Sequence, residues 1–209
     1  FSTTVPSSQY KGLEKYFIQE GLAYRVVPVT TDPPAMGEFG MIDHHIMYDN
    51  MMNRFKWGNA EDPSVYLDET NRRMFSNFRR IFGNLGKSLL QNGDTIKAVE
   101  VAHRGLDLVP ADKMPHEFFT IGLAEVLIRA GKTDEGLALL NDIILYAKEY
   151  LDYAITIGGS RFGLDYSIGI NMQSLIDIYN LSAGLGLESI ILSLEPELNN
   201  YYTRLYSAK

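Results

Sequence analysis

Asp43, His44 and His45 are the first residues whose types suggest chemistry, since two imidazoles and a carboxylate are the ligands of a divalent metal ion. Their spacing argues against it. Neighbours on a helix point about 100° apart, so adjacent histidines rarely share one ion. The tripeptide is expected to be a helix start with a polar surface. Thr156–Gly163 (TIGGSRFG) has the glycine density of an anion-binding loop. A phosphate cradle also needs a preceding strand and a lysine with Ser or Thr at fixed offsets, and this stretch lacks them. It reads as a flexible connection between helical units.

A second candidate is NRRMFSNFRR, which places Arg72, Arg73, Arg79 and Arg80 within nine residues. On a helix Arg72 aligns with Arg79 and Arg73 with Arg80, seven apart, giving a basic strip beside an apolar stripe. Such a strip receives a carboxylate or phosphate. It pairs equally well with Asp68, Glu69 and other acids of a chain whose net charge is −7. In MIDHHIMYDNMMNRFKW, Met47, Met51 and Trp57 supply an adaptable apolar surface, expected to pack on helices or to meet a partner. His103 and His116 have no evident partner in sequence and read as surface or boundary residues. No nucleophile–base pair and no paired carboxylates stand in a recognisable setting, so catalysis by this chain alone is not expected, nor any metal or cofactor.

Composition narrows the classes further. A chain of 209 residues forms one domain, or one with a small appendage, and is long enough to bury a real core. Hydrophobic residues at 45% and charged ones at 22% are ordinary for a globular protein. An isoelectric point near 5.1 argues against a nucleic-acid surface, which needs a dense basic footprint. With no cysteine there are no disulfides and no thiolate sites. No apolar run approaches the roughly 18 residues of a membrane span, and no signal peptide is visible. The first residue is Phe1 rather than methionine, which suggests a piece of something longer.

The elements that must position these residues fall into three zones. Residues 1–36 are irregular, with a short helix over 10–20 and a strand-like run, LAYRVVPVTT (Leu22–Thr31), whose valines favour extended backbone. Residues 37–66 hold the Met-rich segment and a turn at Asp62-Pro63. From Asp68, a reasonable N-cap, the rest reads as helix with short breaks. Met74, Phe78, Ile81, Phe82, Leu85 and Leu89 make one apolar stripe at three- and four-residue steps. Asn92-Gly93-Asp94 ends that helix, and a second, Ile96 to Leu108, closes before Pro110.

A shift of 38 residues exposes an internal repeat: Leu85 falls on Leu123, Gly86 on Ala124, Leu89 on Leu127, Gly93 on Gly131, Ala98 on Gly136 and Leu106 on Ile144. A third, weaker unit runs from Asp165 to Leu205, breaking at Gly184–Gly186, with Pro196 in its second helix. With Phe82 in its first aromatic position, the run Leu85, Gly86, Leu89, Ala98, Ala102, Gly105 and Pro110 resembles the tetratricopeptide repeat. The resemblance weakens in the second unit, where Thr120 and Lys148 replace the aromatic and the proline. It accounts for glycines inside helices, each costing roughly 1 kcal/mol against alanine, by close helix–helix approach. Gly93 is the turn, and Gly83 is left without a role.

Longer stretches carry a second resemblance. FIQEGLAYRVVPV (Phe17–Val29), MYDNMMNRFKWGN (Met47–Asn59), DPSVYLDETNRRM (Asp62–Met74), NMQSLIDIYNL and NNYYTRLY together resemble the soluble C-terminal region of a bacterial multipass membrane family described as protein O-mannosyltransferase-like. That resemblance implies an extracytoplasmic appendage at the periplasmic face of the inner membrane, with a parent transmembrane domain as partner. The transfer chemistry would lie in the parent, so no catalytic residue carries over.

The expectation is therefore an all-α fold, a tetratricopeptide-like α-α superhelix over 67–209. A short irregular extension, 1–66, precedes it, with a short helix, a strand-like segment, a Met-rich helix and room for one or two short strands. The expected role is non-catalytic, a scaffold holding a protein or peptide in the repeat groove. The alternative is a subsite in which Arg72, Arg73, Arg79 and Arg80 recognise a sugar or lipid phosphate.

Overall fold

The computed structural model describes residues 1–31 and 40–206. The end of the irregular opening zone, 32–36, lies outside the described residues. The chain is mostly helical, with a small three-stranded sheet near the N-terminus, and divides into two compact units, Phe1–Val109 and Pro110–Lys209. The first helical hairpin thus packs with the N-terminal segment.

In the first unit the sheet runs in the order β2-β1-β3. Strand β1 (Phe17–Gln19) pairs antiparallel with β2 (Tyr24–Val26), Ile18 opposite Arg25, and parallel with β3 (Met41–Ile42), Ile18 opposite Met41. The helix expected over 10–20 does not form. A single 3₁₀ turn, Glu14–Tyr16, leads straight into β1, because Phe17 is needed in an aromatic cluster. Its ring stacks on Tyr24 at 5.1 Å and meets Tyr10 edge-on at 5.0 Å. Gly40 permits the parallel pairing: a Cβ there would lie 2.1 Å from the Phe17 carbonyl oxygen.

Asp43 then caps α1 (His44–Asp49), its carboxylate accepting from the Ile46 N–H at 3.0 Å, which is the helix start the sequence suggested. The helix widens into a π turn, Asn50–Arg54, and buries Met47 and Met51 completely. Helix α2 (Glu69–Gln91) is capped by Asp68, and α3 (Thr95–Asp107) by Asp94. Tyr48 ties α1 to α3 by donating to Glu100 at 2.7 Å, with the Lys97 ammonium over its ring.

The second unit repeats the α2–α3 hairpin in α4 (Ile121–Arg129) and α5 (Thr133–Ile157). The two turns correspond bond for bond. The Gly93 N–H donates to Leu90 and that of Asp94 to Leu89; 38 residues on, Gly131 donates to Ile128 and Lys132 to Leu127. Both glycines are left-handed, at φ +80° and +84°, the Schellman ending of a helix. The crossing is equally instructive. In the first hairpin Gly86 of α2 corresponds to Ala124 of α4, and Ala98 of α3 to Gly136 of α5, so each hairpin carries one glycine and one alanine, exchanged between helices. A Cβ at Gly136 would sit 2.4 Å from Ile128 Cγ1 and 2.9 Å from the Ala124 carbonyl oxygen.

The repeats diverge after that. Pro110 stops the first hairpin, but Lys148 occupies the equivalent place in α5 and lets it run about three turns further. That extra length receives α7 (Glu188–Tyr206), which follows α6 (Asp165–Leu185). Lys148 pairs with Glu197, while Asp152 accepts from the Tyr201 hydroxyl at 3.1 Å and from Arg204 at 2.8 Å. Burial first, and the Asp152 hydrogen bond second, push the Tyr201 phenol up to about 12. Pro196 lies inside α7, which continues through it. Between α5 and α6, Gly158 and Gly163 are both left-handed and bracket a 3₁₀ turn, Gly159–Phe162.

Candidate functional site

Within the first unit an open cleft of about 520 Å³ has a largely aromatic and aliphatic lining. Helix α2 supplies one side with Asn71, Met74, Phe75 and Phe78. Met74 and Phe78, both read from sequence as stripe residues, lie at this opening rather than in the core; Met74 is 36% exposed. The opposite side is Phe55, Lys56 and Trp57, delivered by the end of the π turn. Such turns insert one residue and rotate the chain beyond them, which here sets the FKW run beside α2. The loop after Asp62 closes the third side. Asp62 accepts from the Ser64 N–H at 2.8 Å and from its hydroxyl at 2.7 Å, an Asx turn that presents Tyr66 at the rim, 83% exposed.

Second contacts hold this arrangement. Asn50 donates to the Glu20 carbonyl at 2.7 Å, tying the π turn to the sheet. Gly21, at φ +132°, lies so close that a Cβ would approach the Phe55 ring at 3.0 Å. Trp57 meets Phe55, Phe78 and Phe82 with ring centroids 5.9, 5.3 and 5.5 Å away. These edge-on and tilted contacts lock the indole while leaving it half-buried.

The polar side chains at the cleft are few, Lys56, Trp57, Tyr66 and Asn71, and each of them can donate. Lys56 forms no ion pair among the described residues, and among them nothing accepts from the Trp57 indole N–H or engages the Asn71 side-chain amide. No carboxylate, imidazole or serine lines it. The arrangement suits capture of an apolar, acceptor-bearing group.

The arginine strip is divided by the fold. Arg72 and Arg73 are exposed. Arg79 is 1% exposed and donates to the Val109 carbonyl at 2.8 Å, so it anchors the end of the α2–α3 hairpin from inside. Arg80 is half-buried and donates to the side-chain amide oxygen of Asn77 at 2.9 Å. The four thus do not share one solvent-facing surface. The His44 and His45 rings lie tilted against each other, centroids 4.2 Å apart, and no cluster of metal-ligating side chains occurs among the described residues. His103 and His116 are half-buried, at the boundary where the sequence placed them. Of the Met-rich segment's three apolar candidates only Trp57 reaches the cleft. Phe55, Tyr66 and Asn71 were missed; the available signal was two aromatics flanking a lysine at the very end of a helical run.

No family model, no curated protein and no solved structure matches the chain. No described helix is long and apolar enough to cross a membrane.

Proposed function

We propose that this chain is a non-catalytic binding module that holds a segment of another protein, with the aromatic cleft of Phe1–Val109 as its seat. The observation that carries the reading is the open wall of Phe55, Trp57 and Phe78, whose rings are held by one another rather than fully buried, with Tyr66 exposed at the rim. A pocket of this size and apolarity, whose lining holds no carboxylate, imidazole or serine and pairs no nucleophile with a base, serves recognition. The α2–α3 and α4–α5 hairpins are, in this reading, tetratricopeptide-like units. Their support is the matched turn and the exchanged glycine–alanine crossing. The sequence resemblance to the soluble end of a multipass, glycosyltransferase-like membrane protein supports a place on the periplasmic face beside that parent domain.

The test is capture from a bacterial envelope extract by the immobilised chain and by a Trp57→Ala variant of the same circular dichroism. A protein retained by the first and lost from the second is the expected result; identical retention removes the cleft from the proposal. The alternative, recognition of a sugar or lipid phosphate, keeps the exposed cations Arg72 and Arg73 as its basis. Reversing both charges would then abolish binding of a phosphorylated ligand and leave peptide binding intact.

A further inference from the structure

We infer that the cleft selects an extended peptide carrying a bulky apolar or aromatic side chain next to an acidic one, with Lys56 reading the carboxylate. This rests on the cleft being a peptide seat and adds what distinguishes one peptide from another. The apolar wall fixes the first requirement, since Phe55, Trp57 and Phe78 offer ring faces and edges to a side chain that leaves water. The polar lining sets the second. Of its polar side chains Lys56 and Trp57 carry donors only, while the Tyr66 hydroxyl and the unengaged Asn71 amide donate as well as accept. An acceptor-only carboxylate can take up all of these donors, whereas an ammonium or guanidinium, although drawn to the same ring faces, has the Lys56 charge against it.

The wider field permits this. Phe1–Val109 carries 12 Lys and Arg against 13 Asp and Glu, whereas Pro110–Lys209 carries 7 against 13. Along the segments that line the cleft the exposed acids Glu61, Asp62, Asp68 and Glu69 are matched in number by Arg54, Lys56, Arg72 and Arg73, and Lys56 is the charged residue in the lining itself. Lys56 is exposed at the rim, where an ion pair contributes modestly and is screened by salt. Selection is thus expected to be a matter of several-fold, on top of affinity supplied by the rings.

Trp57 is the only tryptophan in the chain, so its emission reports occupancy directly. The full chain is titrated with two acetylated, amidated peptides, Gly-Phe-Leu-Asp-Gly and Gly-Phe-Leu-Lys-Gly, neither of which contributes tryptophan emission. The Asp peptide is expected to bind about fivefold more tightly, the ratio a surface ion pair supports. Lys56→Gln should erase the preference and Lys56→Glu reverse it, with circular dichroism unchanged in both. Equal affinities for the two peptides, or a preference that survives Lys56→Glu, overturn the inference and leave the cleft as a peptide seat. No saturable change with either peptide, or saturation by methyl pyranosides alone, overturns the seat as well.

Discussion

Adding one methyl group at Gly136 and at Gly169 should move stability in opposite directions, although both glycines lie inside helices. Glycine costs about 1 kcal/mol relative to alanine in a helix interior, so each Gly→Ala change starts with that gain. At Gly169, on the exposed side of α6, the new Cβ meets nothing within 4 Å. The gain is realised, and Gly169→Ala should stabilise by about 0.5–1 kcal/mol. At Gly136 the Cβ meets Ile128 Cγ1 at 2.4 Å and the Ala124 carbonyl oxygen at 2.9 Å. The isoleucine can turn aside in part; the carbonyl belongs to α4 and moves only with the helix. Overpacking costs about 1–3 kcal/mol, and with backbone as well as side chain in the way the upper part, about 2–3, applies, so after the propensity gain of about 1 Gly136→Ala should still destabilise by about 1–2 kcal/mol. The two variants should therefore differ by about 1.5–3 kcal/mol, several degrees in Tm for a protein of this size, read by thermal and urea unfolding followed by circular dichroism. A third variant isolates the cause. Made in an Ile128→Ala background, Gly136→Ala should cost roughly 1 kcal/mol less than in the native chain, because the steric partner is gone. If Gly136→Ala stabilises as much as Gly169→Ala, or the cycle shows no coupling, the close approach of α4 and α5 is wrong, and with it the account of the exchanged glycine and alanine.

Gly40→Ala should cost about 3 kcal/mol, combining a left-handed φ of +70° with a Cβ 2.1 Å from the Phe17 oxygen; loss of hydrogen-exchange protection at β1 and β3 is the measurement. Arg79→Ala, which frees the Val109 carbonyl and hollows the hairpin, should destabilise by about 3 kcal/mol in urea unfolding, whereas Arg72→Ala and Arg73→Ala should stay within about 0.5 kcal/mol; equal effects would contradict the burial of Arg79. The raised phenol of Tyr201 binds its proton more tightly folded than unfolded, so its contribution is complete below pH 10 and is lost as pH climbs toward about 12. Alkaline unfolding followed by tyrosinate absorbance should show that loss, and Tyr201→Phe should flatten the slope in this window; an unchanged slope would assign it elsewhere.

Local rules account for what could be read along the chain. Asp43, Asp68 and Asp94 start helices because a carboxylate there reaches an N–H that lacks a partner within the same turn. Gly93 and Gly131 end them because only glycine enters the left-handed region cheaply. Those signals are short-ranged, and so are the 38-residue correspondence and the substitution of Lys148 for Pro110, whose consequence for α5 comes from the missing ring. Phe17, by contrast, gave no local sign that it would leave a helix for the middle strand, since its partners Tyr10, Tyr24 and Gly40 come from both sides in sequence.

The candidate site depended still more on tertiary contacts. Four arginines in nine residues looked like one surface, but helical phase alone cannot say which side of α2 the α3 hairpin covers. Arg79 went inside because the Val109 carbonyl needed a donor there, and Arg72 stayed out. Phe55, Trp57, Tyr66 and Phe78 are ordinary core types in sequence, and nothing local separates them from the fully buried Phe82. Where helices start, stop and repeat is written in the order of residues, because capping and left-handed turns act within a few positions. Which aromatic faces remain open is not, because exposure depends on what a π turn, Gly21 and an Asx loop bring together from distant parts of the chain.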